Sequence, residues 1–452
     1  MLFISLMISH SALLKAQDFT KFDFGGDFNL SGFVNADFNG DGFVDVFTFD
    51  RNFSSSNESK VLLNTSDNDG ISFEEKLQNE QFDVQGLAGV GDMDGDGDMD
   101  LVVSLGENLE LNFLLNDGDG NFIAEALGFS GCKDYKVADF DGDDKLDLVG
   151  VNKDNDFIAV YWTLGSSSYQ EFVQNHDGED LQSFDIGDMT LDGMLDIVLG
   201  FDHFEGDQII LLINQSFTFT DVSIADENEF EDLMDIEIVD LNNDGNDDIV
   251  ALQEDICVAF YSNGWPFFDR ETLFSRTSEK SVYRSLTVGD FDGSGIKDIV
   301  VGTNEEGLFW HQITSLTPFE SNFAEIGSLS PVFTILNADL DGDEDSDLIA
   351  SNGDFYWFEN LLPQTPNSTQ NQITPEIIVY PNPTSDQISF KNLPEGKVRL
   401  KLYSIFGQLI LNKKIENGEI LPLQDLQSGF YNLEIALEDK NNLLINRRLF
   451  IE

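Results

Sequence analysis

The stretch Gly91–Ser104, GDMDGDGDMDLVVS, decides the fold. Five of its fourteen residues are Asp, and an apolar run follows at once. Carboxylates this close repel one another, so a folded chain keeps them together only where something offsets the charge. The same pattern recurs: oxygen-bearing side chains at alternate positions, a further Asp, then an apolar run. Copies begin at Asp37, Asp92, Asp139, Asp188, Asp240, Asp290 and Asp339, at separations of 55, 47, 49, 52, 50 and 49 residues. Seven copies at near-constant spacing are the mark of a repeat architecture.

Each repeat reads as four short strands. A β-like run such as VFTIL precedes the Asp loop, and a second such as DLVVS leaves it. A third follows a polar turn (LNFLLN, IAVYW, IILLIN, ICVAFY, FYWFEN), and a fourth contains Phe. Nothing between residues 18 and 361 sustains a helical period. Four strands in about 50 residues is a propeller blade, so the expectation is all-β, a seven-bladed β-propeller. The last repeat supplies only three strands. The run FTKFDF (Phe19–Phe24) is expected to complete that blade and close the ring, which removes exposed sheet edges.

Numbering each loop from its first Asp, positions 1, 3, 5 and 9 carry side-chain oxygen in all seven copies. They are Asp37, Asn39, Asp41, Asp45; Asp92, Asp94, Asp96, Asp100; Asp139, Asp141, Asp143, Asp147; and Asp188, Thr190, Asp192, Asp196. The last three sets are Asp240, Asn242, Asp244, Asp248; Asp290, Asp292, Ser294, Asp298; and Asp339, Asp341, Asp343, Asp347. Position 7 varies freely, as expected where only a backbone carbonyl is used. Hard oxygen donors in this number suit Ca²⁺, which tolerates irregular geometry. Transition metals would call for His or Cys, which the loops lack. An EF-hand would need Glu at position 12 and flanking helices. Position 12 here is apolar or small (Val103, Val301), and strands flank the loop. The reading is up to seven Ca²⁺, one per blade. Thr190 and Ser294 each replace a carboxylate, so their loops are expected to bind more weakly. Asp144 and Glu344 stand at position 6, where the other loops have Gly.

These loops resemble the FG-GAP/VCBS repeats of integrin-α-like propellers, over roughly residues 18–361. The resemblance implies a seven-bladed propeller with structural calcium in the hairpins between first and second strands.

The rest of the chain sets the context. Formal net charge is −62, with 85 Asp plus Glu against 23 Lys plus Arg. Nucleic acid is excluded as a partner, because phosphate binding needs clustered cations. The hydrophobic fraction of 41 % and 40 Phe argue for a packed fold, not disorder. Cys132 and Cys257 form no disulfide framework; both read as buried hydrophobes, with a bridge between them left open. The start MLFISLMISHSALLKAQ has the apolar length of a signal peptide, expected at 1–16, although the usual basic region is missing. No later run is long and apolar enough for a transmembrane helix.

Residues 17–361 are assigned to the propeller, 362–375 to a Pro/Asn/Gln/Thr-rich linker, and 376–452 to a second domain. That tail carries 9 basic and 10 acidic residues, net −1, against −61 for the remainder. It alternates strands and turns, as a small β-sandwich does. It carries Tyr380-Pro381-Asn382-Pro383, Tyr403 with Gly407-Gln408, Gly429 with Tyr431, and a closing RRLFIE. These resemble the type A C-terminal sorting domain of the type IX secretion system of Bacteroidota. The resemblance implies export to the outer-membrane surface or medium, with the secretion machinery as partner and removal of the tail.

No catalytic constellation stands out. The four His are scattered, GFSGC lacks nucleophile-elbow spacing, and acidic pairs are everywhere. Trp162, Trp310 and Trp357 fall on third strands and are expected to pack between blades. Arg270, Arg276, Lys280 and Arg284 are a local basic anomaly, read as charge balance or as a contact for an anionic partner. Two function classes stay open. One is a binding or adhesion module for an extracellular glycan or protein ligand. The other is a polysaccharide-active enzyme, which a cleft with a basic residue facing paired carboxylates would favour.

Overall fold

A computed structural model describes residues 19–23, 32–49, 59–66, 71–76, 82–86, 89–143, 145–152, 157–165, 168–176, 181–201, 208–216, 218–225, 233–262, 267–276, 281–316, 319–343 and 345–361, and in the tail 378–380, 387–391, 398–404, 409–415, 420–423, 426, 429–437 and 443–451. The expected signal peptide, the linker, Asp144, Glu344, Lys280, Pro381–Pro383 and Gly407-Gln408 lie outside them. The chain forms two compact units, Met1–Thr365 and Pro366–Glu452.

The first unit is a seven-bladed propeller of four-stranded antiparallel sheets. Blade one is Gly32–Ala36, Asp45–Phe49, Ser59–Asn64 and Phe73–Lys76; blade two is Gly89–Gly91, Asp100–Leu105, Glu110–Asn116 and Phe122–Ser130. Blade three is Asp134–Ala138, Asp147–Asn152, Phe157–Gly165 and Ser168–Asn175; blade four is Leu181–Gly187, Asp196–Phe201, Gln208–Asn214 and Phe219–Ala225. Blade five is Leu233–Val239, Asp248–Gln253, Ile256–Ser262 and Phe268–Ser275; blade six is Tyr283–Gly289, Asp298–Thr303, Leu308–Leu316 and Phe319–Gly327. Blade seven holds Thr334–Ala338, Asp347–Ser351 and Phe355–Asn360 and takes its outer strand from Phe19–Asp23.

That outer strand is the ring closure read from the sequence. It pairs antiparallel with Phe355–Asn360, from Phe19 opposite Asn360 to Asp23 opposite Tyr356. Second strands are buried along their whole length, as in Asp196–Phe201, save for Leu105 at the end of blade two's, because a neighbouring blade covers each face. Fourth strands face water, as in Phe122–Ser130. Aromatic side chains fill the seams. Trp162 of blade three stacks on Phe219 of blade four, centroids 5.9 Å apart. Trp310 of blade six meets Phe19 edge-on at 5.8 Å, and Trp357 meets Phe73 of blade one at 5.3 Å. The three tryptophans have the packing role expected of them. Cys132 and Cys257 are free buried thiols, so no bridge joins them.

First strands surround the ring axis. A cavity of about 580 Å³ runs along it, lined by residues on or beside the first strands of all seven blades.

The second unit has two sheets. One holds Ile378–Tyr380, Gln387–Lys391 and Ile420–Pro422; the other orders Leu409–Ile415, Val398–Ser404, Gly429–Leu437 and Leu443–Ile451. Ile388, Val398, Leu400, Leu402, Ile415, Leu421 and Leu423 are buried, the core of a small β-sandwich. Among the described residues no helix is long and apolar enough to cross a membrane.

Candidate metal centres

The Asp at position 1 organises each loop. Asp37 accepts backbone N–H bonds from Gly40 (2.7 Å) and Gly42 (2.8 Å), and Asp92 from Gly95 (2.8 Å) and Gly97 (3.0 Å). Asp139 accepts from Gly142, Asp188 from Gly193, Asp240 from Gly245, Asp290 from Gly295 and Asp339 from Gly342. Position 3 then accepts from the N–H of position 5, as in Asn39, Asp141, Asn242, Asp292 and Asp341. Position 5 accepts from position 7, as in Asp41, Asp96, Asp192 and Asp343. The chain thus curls around the oxygens. Two residues take left-handed backbone for this: position 6 (Gly97 at φ 99°, Gly245 at 88°) and position 4 (Gly95 at 82°). Leu191 and Asn243 adopt the same conformation at position 4 in the fourth and fifth loops, at φ 58°.

Position 9 differs from the rest. Asp45, Asp100, Asp147, Asp196, Asp248, Asp298 and Asp347 are all fully buried. In each, one oxygen accepts the N–H of a third-strand residue: Asn64, Asn116, Thr163, Asn214, Ser262, Ile313 or Asn360, at 2.7–2.9 Å. The other accepts the position-2 N–H in five loops (Phe38, Met93, Phe140, Leu241, Leu340), the Thr190 N–H in the fourth, and the Trp310 indole in the sixth. This carboxylate therefore clasps loop to blade. Burial pushes Asp45, Asp100, Asp147 and Asp248 up to about 6, Asp196 to about 7, and Asp298 and Asp347 to about 8, with the backbone donors pulling the other way. A bound cation would offset that desolvation.

The donor sets fit a hard divalent ion unequally. Carboxylate oxygens of Asp92, Asp94 and Asp96 lie within 4.8 Å of one another, as do those of Asp139, Asp141 and Asp147, and of Asp339, Asp341 and Asp347. Among the described residues, the first, fourth, fifth and sixth loops, where Asn, Thr or Ser replaces one carboxylate, bring no three carboxylates that close. There Asn39 and Asn242 donate to Asp41 and Asp244. In the third loop Lys145 holds Asp143 aside. In the fourth, the buried Thr190 hydroxyl has no hydrogen-bond partner, which fits an oxygen waiting for a ligand. Calcium at these loops would neutralise the clustered carboxylates.

Sequence reasoning missed two sets of residues. The first ends the third strands. Asn64 Nδ2 donates to the Leu340 carbonyl of blade seven, Asn116 to Phe38 of blade one, Asn214 to Phe140 of blade three and Asn360 to Phe291 of blade six, at 2.7–2.8 Å. Each acceptor is position 2 of the preceding blade's loop, so these amides tie one Asp loop to the next. The recurring LLN, LIN and FEN were the signal. The second set lines the channel. Asp185 of blade four accepts the Ile238 N–H of blade five at 2.7 Å. Asp235 and Glu237 of blade five accept the Leu286 and Val288 N–H groups of blade six at 3.2 and 3.1 Å. First strands of adjacent blades are not paired, and these carboxylates bridge them. The basic anomaly divides: Arg284 lines the channel, and Arg270 lies on the outer strand of blade five.

Comparison with known families agrees with this architecture. Residues 37–103 and 92–150 match the FG-GAP-like repeat, and residues 378–452 match the secretion system C-terminal sorting domain. The chain carries FG-GAP-like repeats on a seven-bladed β-propeller and ends in a secretion sorting domain. That tail is an export address. No curated protein sequence matches the chain. Among solved structures, an Agrocybe aegerita lectin, described as recognising non-reducing terminal N-acetylglucosamine, is 14 % identical with a TM-score of 0.48; the match covers 84 % of this chain and 89 % of the lectin. The V. cholerae biofilm matrix protein Bap1 is 12 % identical with a TM-score of 0.42, over 73 % of this chain and 87 % of its own. Likeness of this degree carries no argument about ligand or activity.

Proposed function

We propose that this is a secreted, calcium-stabilised propeller acting as a binding or adhesion module for an extracellular glycan or protein ligand. Export follows a type IX route in a Bacteroidota-like bacterium, with the tail as the address and the propeller as the working part. The observation that carries the reading is the use made of the Asp loops. Their carboxylates hold backbone N–H groups of the same loop or a neighbouring strand, so the acidic chemistry serves the scaffold. A rigid ring of this kind leaves ligand contact to the loops and strand ends on the face opposite the calcium hairpins.

The enzyme reading is favoured by one feature, the channel in which Lys136 meets Asp185 beside Asp235 and Glu237. Hydrogen bonds from Ile238, Leu286 and Val288 account for those carboxylates as ties between blades. The two readings separate in a paired screen of the full chain with calcium. Glycan-array binding without release of reducing or unsaturated ends from polysaccharides is expected; turnover of any polysaccharide would replace the binding module with an enzyme.

A further inference from the structure

Neighbouring Asp loops are joined through a buried path of hydrogen bonds. In the third loop the Phe140 N–H donates to Asp147 at 2.9 Å, and the Phe140 carbonyl accepts Asn214 Nδ2 of blade four at 2.7 Å. The backbone N–H of Asn214 then donates to Asp196 of the fourth loop at 2.9 Å. The two position-9 carboxylates are thus linked through one peptide and one asparagine. The same path runs from Asp347 through Leu340 and Asn64 to Asp45, and from Asp45 through Phe38 and Asn116 to Asp100, each bond 2.7–2.9 Å long. Asn64, Asn116 and Asn214 are at most 5 % exposed, so water does not stand in for a lost bond.

The path does not run all the way round the ring. Blades three, five and six have Thr163, Ser262 and Ile313 where the others have the amide. Thr163 gives its hydroxyl to the Leu146 carbonyl of its own loop. The seventh, first and second loops therefore form one linked block, and the third and fourth another. The sixth loop meets the seventh through Asn360 on the Phe291 carbonyl, while the Trp310 indole takes the Asp298 oxygen. The fifth meets its neighbours by other contacts: Asp247 accepts the Asp188 N–H, and the exposed Asn243 amide donates to the Gly295 carbonyl. Neither contact involves a position-9 carboxylate.

Each block joins unlike loops. The second, third and seventh bring three carboxylates close together. The first and fourth, linked to them, have Asn39 and Thr190 in place of a carboxylate.

We propose that calcium binds cooperatively within these two blocks, with Asn64, Asn116 and Asn214 as the coupling residues, so that filling the third loop tightens the fourth and filling the second and seventh tightens the first. This rests on the calcium reading and adds the order in which the loops fill. An ion that fixes Asp147 fixes the Phe140 peptide. The Phe140 carbonyl then holds Asn214, and the Asn214 N–H holds Asp196 where an ion in the fourth loop needs it. Coupling through such a contiguous path is reciprocal. A single link of this kind is expected at the low end of such couplings, about fivefold in affinity.

The test is a calcium titration of the full chain labelled with ¹⁵N-glycine, followed by NMR. The Gly193 amide, bonded to Asp188, reads the fourth loop, and the Gly97 amide, bonded to Asp92, reads the second. Asp141→Asn weakens the third loop, which lies between them. The calcium that half-fills the fourth loop should rise about fivefold, while the second loop stays within twofold, because Thr163 leaves it unlinked to the third. Asn214→Thr installs the side chain that blade three carries at this position, and it should abolish the effect of Asp141→Asn on Gly193. Asp94→Asn with Asn116→Thr, read at Gly42 with Gly245 of the fifth loop as the unlinked reporter, repeats the cycle where Asn214→Thr fails to fold. A fourth loop indifferent to Asp141→Asn, equal shifts at Gly193 and Gly97, one midpoint common to all loops, or an undiminished effect beside Asn214→Thr would each overturn the proposal. Glycine amides that ignore calcium altogether would refute the calcium reading itself and this proposal with it, so the two failures are distinguishable.

Discussion

Replacing Asn214 by Ala tests whether the third-strand amides hold neighbouring Asp loops together. The side chain is 1 % exposed. Its Nδ2 donates to the Phe140 carbonyl at 2.7 Å and the Leu195 carbonyl at 3.1 Å, and its Oδ1 accepts the Ser216 N–H at 3.0 Å. Truncation strands two carbonyls and one N–H at about 1 kcal/mol each, about 3 kcal/mol in all. The Asn214 backbone N–H, bonded to Asp196, is untouched. With unfolding entropy near 2.1 cal/mol/K per residue over roughly 345 residues, that loss lowers the melting temperature by about 4 °C. Asn214→Asp should fall further, because it turns the donor into an anion facing two carbonyl oxygens. The assay is scanning calorimetry of the full chain in calcium. A melting temperature within 1 °C of wild type for Asn214→Ala, or an Asp variant as stable as the Asn parent, would refute the reasoning.

Two other perturbations have defined outcomes. His311 is buried, stacks on Phe274 with centroids 3.5 Å apart, and burial holds its imidazole down to about 3. Its stabilisation is intact above the unfolded value near 6.5 and is lost as pH falls toward 3, so at pH 5 wild type should have lost about 2 kcal/mol relative to His311→Phe, read from urea melts at pH 7.5 and 5. Equal acid sensitivity of the two proteins would show that His311 is not the cause. A chain ending at Leu362 should fold and bind calcium as the full chain does, and an insoluble product would move the boundary between propeller and tail.

Much of the fold was legible because the Asp-loop pattern is written locally. Oxygen at positions 1, 3, 5 and 9 needs only nine consecutive residues, and its recurrence counted the blades. The shortfall of one strand in the last repeat then pointed to Phe19–Asp23 as the closure. What stayed hidden depends on ring geometry. Asn116 reads as the end of a strand, yet its partner is the Phe38 carbonyl, 78 residues earlier. Asp185 and Glu237 look like the solvent side of ordinary strands, since alternation does not distinguish bulk water from an axial channel. Position 9 read as one more metal ligand; that its oxygens also hold two strands together follows from burial, which spacing does not report. Left-handed backbone at position 4 was half visible, because five loops have Gly there but Leu191 and Asn243 disguise it.

The central claim is that calcium holds the propeller together. Its most direct test is the calcium content of the purified full chain, measured by elemental analysis alongside its melting curve with and without excess chelator. The account predicts several calcium ions per chain, with the second, third and seventh loops the first to fill, and a melting temperature many degrees lower in chelator, since an ion that binds only the native state stabilises it by mass action. A chain that holds no calcium when equilibrated with it, and melts at the same temperature in chelator, would contradict it.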